Sequence, residues 1–219
     1  MIKKIKDIIE SAIKEEGPPP SKKMVVLDPA EAAELLGAIP SEPDMRIIGL
    51  FTEVSEEKNA ELIHALLYLN ELNKLAPEES KKRPIEFYVS TYGGSADDMF
   101  GMYDMMRQIR EETEIHTIGL GKVMSAGVLI LASGTKGKRK IGKYCRVMIH
   151  SVVAGSHGSL SNLVNEMEAI QKIQEDYIEA LVAETDMTKK DIKNMLERKV
   201  NVYLSAEEAV ELGIADIII

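Results

Sequence analysis

From Met45 onward, short apolar runs alternate with longer stretches whose apolar residues recur at helical spacing. The runs predict strands over 46–52, 85–90, 114–120 and 146–150. The longer stretches predict helices over 56–75, 97–111 and 160–184, with a short, wholly apolar helix over 126–132. Strand-then-helix alternation builds a parallel sheet flanked by helices, so the expected fold class is α/β. The first 44 residues follow another pattern. Ile2, Ile5, Ile8, Ile9 and Ile13 alternate with charges as one apolar stripe of a helix over 1–16. Gly17 and Pro18-Pro19-Pro20 break that helix and make a stiff, extended connector. Asp28 as N-cap and Pro29 at the first helical position open a second short helix through Leu36. All eight prolines precede Ile85. The expected organisation is an N-terminal extension over 1–44 and a main domain over 45–219, with no internal repeat.

Composition narrows the class. A chain of 219 residues, 45% of them apolar, is long enough for one sizeable core. The longest apolar run, 126–132, is far too short to span a bilayer. The N-terminal lysines are followed by no apolar stretch of the kind a signal peptide carries. One cysteine, Cys145, cannot form an internal disulfide, which fits a reducing compartment. A cytoplasmic protein without a membrane partner is therefore expected. A net charge of −9 argues against nucleic acid, because phosphate binding calls for a basic face. The locally basic stretch 136–143 reads as a solvated turn punctuated by Gly137 and Gly142.

Three segments can carry chemistry. In Gly119-Leu120-Gly121-Lys122-Val123-Met124-Ser125-Ala126-Gly127 an apolar strand runs into a glycine-rich turn, with a serine where the next helix begins. Such a turn exposes the hydroxyl, and backbone N–H groups at the helix start lie beside it. The competing reading is an ordinary N-cap serine. In Thr91-Tyr92-Gly93-Gly94, adjacent glycines permit the close backbone approach that an oxyanion loop or a peptide-binding edge needs, though a plain turn would read the same. In Arg146-Val147-Met148-Ile149-His150, an apolar strand ends in a histidine. Of four histidines, His64 lies on an amphipathic helix, His116 within a strand and His157 in a glycine-rich loop. His150 alone ends a core strand, where parallel α/β sheets hold their sites.

Phe87-Tyr88-Val89-Ser90-Thr91-Tyr92-Gly93-Gly94, Gly121 through Gly127 and Arg146 through His150, in this order and spacing, resemble the proteolytic subunit of the Clp protease, the ClpP family. Leu204-Ser205-Ala206-Glu207-Glu208-Ala209-Val210-Glu211-Leu212-Gly213-Ile214-Ala215-Asp216 resembles the family's C-terminal segment. The likeness covers about 46–219. It implies a crotonase-like α/β subunit and a serine peptidase acting on unfolded polypeptides inside two stacked seven-membered rings, with an AAA+ unfoldase as partner and no cofactor or metal. It implies a nucleophile at Ser125, a general base at His150, oxyanion donors at the backbone N–H groups of Gly94 and Ala126, and a substrate edge including Gly93. Helix 160–184 resembles the handle through which such rings meet. Its stripe of Leu163, Met167, Ile170, Ile173, Tyr177 and Leu181 fits core packing and an interface equally well.

The sequence also departs from the family. Asn201 stands where the family has the aspartate of its triad. An amide oxygen can hold the imidazole but cannot neutralise an imidazolium, and in trypsin-like enzymes that exchange costs about 10⁴ in rate. Papain-like enzymes nevertheless use asparagine, and Glu197 is an alternative acid. Tyr92 replaces a proline, and Glu86 replaces an aromatic of the ATPase-docking pocket while Tyr88 retains the second. Two further readings follow: an inactive scaffold subunit of a ring, and an acyl-CoA enzyme of the crotonase fold. The Ser125 and His150 pair opposes both.

Overall fold

The computed structural model describes residues 45–75, 78, 82–197 and 200–219, and Met45–Ile219 make one compact unit. The helices expected over 1–16 and 28–36, and the extension over 1–44 as a whole, lie outside the described residues. Strand β1 (Ile47–Leu50) leads to helix α1 (Glu56–Lys74), capped by the Ser55 side chain. Strand β2 (Ile85–Thr91) is followed by α2 (Ala96–Ile109), capped by Ser95, and β3 (Ile115–Met124) by α3 (Ala126–Ala132). Then come β4 (Lys140–Ile141), β5 (Arg146–Ile149), the long helix α4 (Leu160–Glu184) and α5 (Lys189–Glu197). Strand β6 (Val202–Leu204), α6 (Ala206–Glu211) and β7 (Ile217–Ile218) end the chain.

The α/β expectation holds. Seven strands form a sheet of order β1-β2-β3-β4-β7, with β5 pairing β3 and β6 pairing β5. All pairings are parallel except β5 with β6. In β2 the side chains of Ile85, Phe87, Val89 and Thr91 are buried and alternate with the partly exposed Glu86, Tyr88 and Ser90, as a pleated strand requires. Full burial of each large apolar side chain is worth about 1.5–3 kcal/mol. Helix α3 is apolar on every side, and all seven of its residues are buried.

Strand β3 differs from its expected form. The glycine-rich turn expected after 114–120 is replaced at 121–124 by a continuation of the strand. Val89 pairs with Gly119 and Thr91 with Val123, so β3 bulges outward between these points, with Gly121 at φ 65°. The bulge changes the strand's partner: Ile118 and Gly119 pair with β4, whereas Lys122, Val123 and Met124 pair with β5. The second half of β3 thus carries β5 and β6 as a branch, and Ser125 follows at the branch's end.

The basic stretch 136–143 is also not simply a solvated turn. Its Lys140 and Ile141 form β4, and Arg139 is buried. The Arg139 guanidinium bonds both Asp216 carboxylate oxygens and the carbonyls of Ala132 and Glu184. Burial works against the Asp216 charge, but these bonds outweigh it and hold the carboxyl below its usual value. One cation therefore ties the ends of α3 and α4 to the chain's last strand. Among the described residues, no helix is long and apolar enough to cross a membrane.

Candidate active site

Ser125 has φ 54° and ψ −123°. Among the described residues it is the one non-glycine with positive φ, a conformation that persists only where surrounding contacts enforce it. Those contacts are visible. The Ser125 N–H donates to the Met148 carbonyl at 2.8 Å, locking the turn to β5. Its carbonyl accepts from Val128 N–H at 3.0 Å and from the Tyr177 hydroxyl at 3.2 Å. The side chain makes no capping bond to α3, which removes the N-cap reading. Instead the Ser125 Oγ lies 2.8 Å from His150 Nε2.

His150 follows β5 directly. Lys122, Val123 and Met124 of β3 pair with Arg146, Val147 and Met148, so the two strands end side by side. That pairing delivers the serine and the histidine to the same place from positions 25 residues apart. The other three histidines stand elsewhere. His116, on β3, bonds Glu114 just before the strand, while His64 and His157 are exposed.

The glycine pair comes from the neighbouring strand end. Thr91 Oγ1 donates to the Thr52 carbonyl at 2.6 Å and accepts from Gly93 N–H at 3.0 Å. Val54 N–H donates to the Gly93 carbonyl and Ser95 N–H to the Val54 carbonyl, each at 2.8 Å. Gly93 has φ 104°, and a Cβ there would fall 2.6 Å from the Ser125 Cβ; at Gly94, φ 152°, it would fall 2.1 Å from the Val54 carbonyl oxygen. Side chains at 93 and 94 would push the loop off the serine. Gly94 N–H makes no backbone bond among the described residues, whereas Ser95 N–H bonds the Val54 carbonyl and Gly93 N–H the Thr91 hydroxyl. Ala126 is the first residue of α3, where a backbone N–H has no intrahelical acceptor.

Beside these groups opens a pocket of about 340 Å³ whose apolar wall includes Met99, Val152, Val153, Ile173 and Tyr177. Tyr177 is buried, and burial pushes its phenol far above its ordinary value. Among the described residues there is no group of three or more His, Cys, Asp or Glu side chains that could hold a metal.

Asn201 is less closely engaged. Antiparallel pairing of Ile149 with Val202, carried one residue further, sets Asn201 opposite His150. Its side chain is nevertheless exposed and makes no hydrogen bond to His150 among the described residues. Glu197, the alternative acid, ends α5 and lines a different pocket, with Gln171, Gln174 and Lys193.

A model of the Clp protease family matches residues 41–219. The chain belongs to the Clp protease family. It is 31% identical over 174 residues to the ATP-dependent Clp protease proteolytic subunit 1 of Prochlorococcus marinus subsp. pastoris, covering 80% of this chain and 83% of that one. A second Prochlorococcus marinus strain has a subunit of the same name, 32% identical over 80% of this chain and 84% of its own. The Clp protease proteolytic subunit of Oltmannsiellopsis viridis is 31% identical over 78% of this chain and 82% of its own. These relatives are named as proteolytic subunits of a protease, and the mixed α/β fold is consistent with that of the Clp family.

Sequence reasoning passed over two residues that build this site. In the sequence Thr91 reads as part of a glycine motif, yet its hydroxyl organises the loop. Tyr177 reads as one position in an apolar stripe, yet its hydroxyl bonds the Ser125 carbonyl. The available signal was chemical: a tyrosine among aliphatic stripe residues carries a hydroxyl that needs a partner once buried.

Proposed function

We propose that the chain is a serine endopeptidase of the Clp type, with Ser125 as nucleophile and His150 as general base. The 2.8 Å contact between His150 Nε2 and Ser125 Oγ, on a backbone turn held at positive φ, is the observation that carries this reading. His150 takes the hydroxyl proton as Oγ attacks the scissile carbonyl. The oxyanion that develops accepts from the Gly94 and Ala126 N–H groups, and His150 then gives its proton to the leaving amine. Water repeats the cycle on the acyl-enzyme. The apolar pocket beside Ser125 favours an apolar side chain before the cleaved bond, and Gly93 keeps the substrate edge close to the serine.

Asn201 is the third member in this reading, supported by the β5–β6 register that brings it opposite His150. Residues 45–219 are the peptidase domain and 1–44 an extension of it. Ring assembly is supported by α4, whose N-terminal half leaves Leu160 78% and Met167 61% exposed in a single chain. Unfolded polypeptides are then hydrolysed within an oligomeric chamber. Association with an AAA+ unfoldase is weakened by Glu86, whose carboxylate accepts from the Tyr88 hydroxyl at 3.2 Å on the docking face.

The test is labelling of the purified full chain with a fluorophosphonate. Modification of Ser125, lost in Ser125→Ala and blocked by peptide substrate, is expected. An assembled protein that takes no label overturns the reading and leaves the inactive ring subunit, which Asn201's missing bond to His150 favours.

A further inference from the structure

Tyr177 lies two turns from the C-terminal end of α4, where the helix passes beneath the serine turn. Its hydroxyl donates to the Ser125 carbonyl, an oxygen that belongs to the same peptide unit as the Ala126 N–H. A peptide unit is planar, so whatever fixes the direction of its C=O fixes the direction of its N–H. A donor on the carbonyl also polarises the amide and strengthens the N–H as a donor in turn. The Val128 N–H on the same oxygen is a local i+3 bond in the first turn of α3, whereas the Tyr177 hydroxyl reaches it from a separate element 52 residues later in the chain. A phenol is protonated at neutral pH, and burial pushes its titration further into alkali, so the hydroxyl remains a donor.

We propose that Tyr177 is a positioning residue: its hydroxyl holds the Ser125–Ala126 peptide so that the Ala126 N–H points at the developing oxyanion. It touches no reacting atom and acts through that peptide plane. The aromatic ring has a second task as a wall of the pocket, so the two contributions must be separated. The proposal rests on the reading of Ser125 as nucleophile and Ala126 as oxyanion donor.

Tyr177→Phe keeps the ring and removes the hydroxyl. Loss of one neutral hydrogen bond of this kind corresponds to about a 3- to 10-fold change. We expect kcat for a peptide substrate to fall by that factor with KM unchanged. Affinity for a peptide boronate, which forms a tetrahedral adduct on the serine, should weaken by the same factor. Affinity for an uncleaved peptide, measured in the Ser125→Ala background, should stay constant. A purely structural role would change KM and thermal stability without this proportion between kcat and boronate affinity. Tyr177→Leu serves as the second variant and should show at least the same loss of kcat. Wild-type kcat and boronate affinity in either assembled variant overturn the proposal while fluorophosphonate still labels Ser125. A wild-type chain without label overturns the parent reading, and this one with it.

Discussion

Asn201→Asp tests whether the asparagine stands behind the histidine, and the structure sets its size. The β5–β6 register brings positions 150 and 201 opposite one another. Directly opposed Cβ atoms in antiparallel strands are about 4.5–5.5 Å apart, so a carboxylate at 201 would approach the imidazolium to roughly 4 Å. At that distance unit charges attract by about 1 kcal/mol in water and about 4 kcal/mol near a protein surface of effective dielectric 20. Asn201 is exposed, which places the gain toward the lower limit, about 1–2 kcal/mol. That corresponds to a rise in kcat of about 5- to 30-fold, far less than the 10⁴ associated with a buried triad aspartate. The gain belongs in kcat, because the attraction grows only as His150 takes the proton, and KM should not move. Steady-state hydrolysis of a short fluorogenic peptide measures both, with assembly checked by sedimentation. Raising the salt concentration should shrink the gain, as expected for an exposed pair. An Asn201→Asp enzyme within twofold of wild type at low salt would refute the reasoning and remove Asn201 from the site.

Three further outcomes are expected. Ser125→Ala and His150→Ala should each reduce peptide hydrolysis by at least about 10³-fold while sedimenting as the wild type does, since backbone contacts rather than these side chains hold the turn; near-wild-type turnover in either rejects the assignment. The wild-type chain should sediment as a ring rather than as a 24.3 kDa monomer, and Met167→Glu should shift it toward smaller species by charging the exposed half of α4. Arg110→Met should cost about 3–5 kcal/mol in unfolding experiments at neutral pH, because it strips Glu184, 2% exposed, of both guanidinium bonds. In the wild type, burial opposes the Glu184 charge, but Arg110 outweighs it and holds the carboxyl below its usual value. That contribution is therefore complete above about pH 4.5 and fades as acid titrates the group. In the variant burial is opposed only by the Tyr103 hydroxyl and Lys136, the carboxyl protonates more readily, and the deficit should narrow on acidification. A deficit independent of pH would show that Glu184 is not its source.

The main elements of the fold were legible because each satisfies a local rule. Residues 126–132 are apolar throughout and form a wholly buried helix; residues 160–184 keep one stripe for about five turns and form one helix with the expected ends. The rule failed at 121–124, where features of a turn (a glycine and a lysine) sit inside a strand. What overrides them is pairing on both edges, with β2 and then β5, while the bulge absorbs the extra residues. A similar override explains 136–143. Charge density there suggests solvent, but Arg139 is buried because Asp216, 77 residues further on, supplies the opposite charge. No window of the sequence contains both partners.

The site divides along the same line. Ser125, His150 and the glycine pair were readable because each ends a strand before a break in pattern, and strand ends of an α/β sheet converge on one edge. Their convergence needs little more than the order of β2, β3 and β5, which alternation already suggests. What holds the serine in a strained conformation was not readable, because strain is enforced by groups distant in sequence: Met148 on the N–H side and Tyr177 on the carbonyl side. Asn201 lies between these cases. Its alignment with a family aspartate and its register opposite His150 agree, yet the side chain is exposed and makes no bond to the ring. A residue can therefore occupy the position of a triad member while lacking the contact that gives the position its chemistry. Backbone register brings the residue opposite the histidine, but the bond depends on what the side chain gains by making it. A carboxylate gains charge-assisted attraction when the imidazolium forms, whereas a neutral amide at the surface gains about as much from water. The part of the proposed mechanism most open to change in this chain is accordingly the stabilisation of protonated His150, and the parts held most firmly are the Ser125 turn and the loop that faces it.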